Sequence, residues 1–140
     1  MFMKSTFLTA FFLISLFAPA AQAQGANADI YGKWKIKAVI GGGIGSLSAR
    51  QERKLIGKPL LISAHRFEFN GGKCVNPEYE RRQEDPAGYF DREWRADVSA
   101  IPFPNPVTII KTRGCDYVFP ISKDRLMIAE QGTFFEAERQ

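Results

Sequence analysis

Imidazole is almost missing from this chain. Of 140 residues only His65 offers a neutral base or a nitrogen ligand, so a two-histidine metal site is excluded and any nucleophile has a single possible base. Cysteine is nearly as scarce. Cys74 and Cys115 stand far apart in sequence, whereas redox pairs and compact zinc sites bring their cysteines together as C-x-x-C. Neither sign of charge dominates: 19 Lys and Arg meet 15 Asp and Glu, a net of +4. That is too mild for the clustered basic face that nucleic-acid binding demands. The chain has no internal repeat and no low-complexity tract. Its longest apolar stretch, 7–17, is closed by Pro19, well short of the roughly 20 residues that cross a bilayer.

What is present begins with an address. Lys4, the apolar stretch 7–17 and Ala21-Gln22-Ala23 have the layout of a secretory signal peptide with a small-x-small cleavage site. The predicted mature chain is 24–140, one domain, periplasmic or secreted, monomeric and without stable membrane insertion. An oxidising compartment lets the two cysteines pair. A Cys74–Cys115 disulfide would close a loop of about 40 residues and stabilise the fold by about 4 kcal/mol in the chain-entropy picture.

Alternation marks the strands. Over 30–40, Trp34, Ile36, Ala38 and Ile40 fall on one side and Lys33, Lys35, Lys37 and Val39 on the other, the period of a half-buried strand. Gly41-Gly42-Gly43-Ile44-Gly45 ends it. That run lacks the lysine and hydroxyl that follow the glycines of a phosphate-binding loop. Ser48, with Gln51 three residues on, forms a capping box that predicts a short helix over 49–56, closed by Gly57. Further strands are expected at 59–63 and 65–69. Asn70-Gly71-Gly72 forms a tight turn, and Cys74 sits on the returning strand. Asn76-Pro77 breaks that strand. Residues 101–106 hold three prolines and read as an extended connector. The last third predicts strands at 107–111, 115–119, 125–130 and 133–137. The total is seven or eight antiparallel strands and one capping helix, an all-β small barrel.

Chemistry-bearing residues are few. The acids Glu78, Glu80, Glu84 and Asp85 lie among arginines in the charged segment 78–97, where solvation keeps them from the divergent pKa values that acid–base catalysis needs. No catalytic group, metal site or cofactor is expected, and the chain does not read as an enzyme. Aromatic residues remain. Trp34, Phe67 and Phe69 share inward strand faces and are the expected ligand-binding residues. Tyr89, Phe90 and Trp94, beside arginines in 78–97, are the expected partner-binding residues.

Gly32-Lys33-Trp34 opens the first strand, a helix and antiparallel strands follow, and the last strand ends near Arg139. In this arrangement the chain resembles the lipocalin-like (calycin) barrels. The resemblance implies that Trp34 closes the barrel base with Arg139 packed over it. The threonine-aspartate-tyrosine turn of that superfamily has no counterpart here. Leu55-Ile56-Gly57-Lys58, Gly72-Lys73-Cys74, Pro77, Tyr79 and Gly132-Thr133-Phe134-Phe135 are also similar to small exported bacterial proteins, a likeness that implies no activity. Two functions are expected: a binding protein holding a small, partly apolar ligand in the barrel mouth, and a protein-binding module such as an inhibitor of a secreted hydrolase or an immunity-like protein.

Overall fold

The computed structural model describes residues 25–140; the expected signal peptide lies outside the described residues. Eleven elements follow one another: β1 (Gly32–Gly42), α1 (Ala49–Leu55), β2 (Pro59–Ile62), β3 (Arg66–Phe69), β4 (Gly72–Val75), β5 (Tyr79–Glu84), α2 (Pro86–Trp94), β6 (Val107–Thr112), β7 (Tyr117–Ser122), β8 (Arg125–Glu130) and β9 (Thr133–Arg139). All nine strands belong to one antiparallel sheet in the order β4-β3-β2-β1-β9-β8-β7-β6-β5, curled into a half-barrel.

The two faces of the sheet carry separate cores. One unites Trp34, Ile36, Leu60, Ile62, Phe67 and Phe69 of β1–β3 with Ile110, Val118, Ile128 and Phe135 of β6–β9. Strands far apart in the sheet meet there, so this is the concave side. The second core lies on the opposite face of β6–β9, where Ile109, Phe119, Met127 and Phe134 pack beneath Tyr89 and Phe90 of α2 and beneath Val98 and Ile101. A strand covered on both faces needs no polar side. This accounts for Leu126-Met127-Ile128-Ala129 being buried without a break.

One more strand and one more helix appear than the alternation predicts, and both lie in the charged segment 78–97. Strand β5, Tyr-Glu-Arg-Arg-Gln-Glu, shows no apolar alternation because it is an edge strand, paired only with β6. Helix α2 starts where Asp85 accepts the Gly88 N–H with Pro86 in the first turn, and it ends on Arg95 in the left-handed conformation. Those are ordinary start and stop signals, embedded in charge. The predicted helix at 49–56 forms as α1 with both arms of its capping box made. The alternation of β1 does not persist. Register slips fall between Ile36 and Ala38 and between Val39 and Gly41. Ala38 consequently pairs with Glu136 on the convex side, while Val39 pairs with Phe135, and both are exposed.

The glycine run is a packing device. A Cβ on Gly43 would lie 1.9 Å from the Trp94 carbonyl oxygen. The Gly43 and Ile44 N–H groups donate to the carbonyls of Gly132 and Trp94 at 2.8 and 3.1 Å. Gly43→Ala should therefore lower stability by roughly 2–3 kcal/mol, read as a fall in the urea midpoint with an unchanged slope. Cys74 and Cys115 are joined as expected, with Cα atoms 6.3 Å apart. Replacing both with Ser should cost about 2–5 kcal/mol, and adding reductant should lower the melting temperature of the native chain but not of the variant.

Candidate functional site

Trp34 governs the closed end of the half-barrel. Its indole N–H donates to the Ile30 carbonyl at 2.9 Å, and the Arg139 guanidinium stands 4.1 Å from the ring centroid. Arg139 thus packs over the Trp34 ring. Arg139 spends its remaining donors on main-chain carbonyls: Tyr31 and Asp29, each at 2.7 Å, and Lys123. A desolvated cation over an indole is worth about 1–2 kcal/mol, and here the same cation fastens the segment before β1 across the barrel end. Arg81 of β5 grips that segment from the other side, bonding both carboxylate oxygens of Asp29 and the Ala26 carbonyl.

The three expected ligand-binding residues are packing residues. Trp34, Phe67 and Phe69 are 2, 0 and 3% exposed, within the concave core. The clefts of the molecule open outward. One of about 340 Å³ lies over the β3–β4 turn, bordered by Leu61, Phe69 and Lys73. Another of about 600 Å³ lies between the segment before β1 and the β7–β8 turn, bordered by Asp29, Pro120 and Lys123.

Two of the three expected partner-binding residues are buried. Tyr89 and Phe90 are 2 and 0% exposed, because α2 turns them down onto Phe119 and Phe134 with ring centroids 5.0–6.2 Å apart. Trp94 is half-buried against Tyr117 and Phe134, and its indole N–H has no partner. These rings hold α2 to the sheet; Tyr89 and Phe90 are buried beneath it, and Trp94 keeps part of its surface exposed. Of the acids nearby, Glu84 pairs with Arg82 and Arg92 and Asp85 caps α2. His65 is exposed in the β2–β3 turn. No group of three or more His, Cys, Asp and Glu side chains is assembled among the described residues.

Sequence reasoning misses a polar row at the opposite end of the concave side. Tyr117 pairs with Ala129, so the next step sets Asp116 beside Glu130, which itself pairs with Thr133. Thr112 continues the row on β6, and its buried hydroxyl has no partner. Thr133 Oγ1 accepts the Leu47 N–H at 2.8 Å. Burial, and then the charge of Glu130, push the Asp116 carboxyl up to about 7. Two carboxyls side by side cannot both ionise cheaply, so Asp116 keeps its proton well above the ordinary carboxylate range. Nothing in the local sequence announces this pair, since Asp116 lies in a turn and Glu130 at a strand end.

The convex side of β1–β4 carries no second layer. Lys33, Lys35, Lys37, Arg66 and Lys73 stand exposed there. Glu68 is shared by Arg66 and Lys73, and Lys37 reaches Glu138 at 3.3 Å.

The raised Asp116 carboxyl makes a pH prediction. Unfolded, Asp116 ionises near 3.8; folded, near 7. Between these values the folded chain binds more protons, so this pair's contribution to stability is complete below about pH 4 and is lost as pH rises through 7. Asp116→Asn should flatten that part of the profile and melt above the native chain at pH 8, measured by thermal denaturation from pH 5 to 8.

No family model matches the sequence, and neither a curated protein nor a solved structure matches it.

Proposed function

We propose that this protein is an exported binding module that engages a partner protein with its outer surface, in the manner of an inhibitor of a secreted hydrolase or an immunity-like protein. The observation that carries this reading is the filled interior. Trp34, Phe67, Phe69, Phe135 and Ile128 occupy the space where a barrel of this size would otherwise hold one small ligand. A small apolar molecule would have to displace side chains that sit at 0–3% exposure, at a cost comparable to opening a core.

Export is supported by the disulfide, which persists in oxidising compartments. Among the described residues no helix is long and apolar enough to cross a membrane. The clasp of Arg139 on Trp34 and the disulfide hold the frame stiff. Stiffness favours a binding surface, because less freedom is lost on association.

A panel of apolar ligands, including a long-chain fatty acid and haem, should leave the melting temperature unchanged at concentrations well above micromolar. A saturable rise with any of them would overturn the proposal, since a ligand that binds only the folded state must stabilise it.

A further inference from the structure

Charge is unevenly divided between the two halves of the sheet. Residues 33–75, spanning β1–β4, hold nine Lys and Arg against Glu52 and Glu68, whereas 76–140 hold nine against twelve acids. The basic half is also the half whose convex face is largely bare, because the core under α2 lies on β6–β9 and reaches β1 only at its far end, at Ile40. Along β1 the exposed Lys33 and Lys35 follow one another at alternate positions, roughly 7 Å apart by strand geometry, and the exposed Lys37 stands at the first bulge beyond them. Among the described residues Lys33 and Lys35 enter no ion pair, and Lys37 meets only Glu138. Arg66 and Lys73 extend the patch across β3 and β4 around Glu68.

The geometry points to the convex face of β1–β4 as a docking surface for an acidic, extended peptide segment of a partner protein. This inference rests on the surface-binding reading above and names the face and the chemistry of its occupant. An extended peptide with Asp or Glu at alternate positions presents carboxylates on one side at the same spacing of roughly 7 Å. It can therefore lie along β1 with two of its charges in register with Lys33 and Lys35 and a third within reach of Lys37. The acidic half of the molecule repels such a segment and steers it to the basic half. A lipid surface fits less well. Interfacial docking uses exposed aromatic anchors beside the cations, and the rings of this half, Trp34, Phe67 and Phe69, are all buried on the opposite face.

The test is fluorescence anisotropy of a labelled oligoglutamate with the full mature chain. Saturable binding is expected at low ionic strength, weakening as salt is added. Two matched charge reversals locate it. Lys35→Glu on the bare face should weaken binding several-fold, and Lys33→Glu with Lys35→Glu by roughly tenfold or more. Lys123→Glu in the other half, the same change in net charge, should leave affinity within about twofold. Melting curves confirm that each variant is folded. The inference is overturned by absent or non-saturable binding, by equal losses for Lys35→Glu and Lys123→Glu, or by tighter binding to phosphatidylglycerol vesicles or to an oligonucleotide than to oligoglutamate. The apolar-ligand panel separates the two levels: a hit there removes the surface-binding reading itself. A silent panel with no oligoglutamate binding removes only this face and its acidic partner.

Discussion

Strands β4 and β5 are the two edges of the sheet, yet they are joined in sequence by only Asn76, Pro77 and Glu78. Three residues span about 10 Å, so nine strands cannot lie flat. The edges must come round to meet, and the curl follows from that constraint. It makes one face concave, brings β3 within reach of β6 and β7, and requires large rings to fill the space enclosed. It also places Cys74 beside the β6–β7 turn, where Cys115 waits. Tyr79, the first residue of β5, completes the seam by donating its hydroxyl to the Ser63 carbonyl at 2.7 Å.

The opposite end of the half-barrel is held by a different device. Arg139 packs on Trp34 and bonds the carbonyls of Tyr31, Asp29 and Lys123, so a single guanidinium joins the last strand, the β7–β8 turn and the segment that enters β1. With Arg81 gripping the same segment at Asp29, the centre of the sheet and its β5 edge converge on it. The interior is closed at this end by main-chain hydrogen bonding and a cation on a ring. At the other end Leu47 and Leu55 pack onto the same core near the polar row of Asp116 and Glu130.

Much of this was legible in the sequence where a local rule decides it. The capping box of Ser48 and Gln51 and the turn at Asn70-Gly71 each depend on a few neighbouring residues, and the pairing of the cysteines follows from there being only two of them. What was hidden depends on distant ones. Helix α2 carried proper caps but sat in a segment whose charge suggests solvent, and its Tyr89 and Phe90 are read correctly only once β6–β9 offer a second apolar face. The alternation of β1 ended at bulges that no residue type marks. Trp34, Phe67 and Phe69 were recognised as inward, but whether inward rings line a space or fill it depends on the curvature of the sheet. The carboxyl pair of Asp116 and Glu130 arises from strand register alone.

Pairing of β1 with β9 has a further consequence. These strands come from the two ends of the described chain and lie at the centre of the sheet, with β2–β4 on one side and β8–β5 on the other. The joint between the two sets of strands is thus the contact of longest sequence separation. Each set can form its own hairpins early, but they become one domain only when the C-terminal strand arrives. A chain that stopped at Gln131 would lose no edge; it would open down the middle of the sheet, its basic and acidic halves still tied by the β4–β5 linker and the Cys74–Cys115 bond.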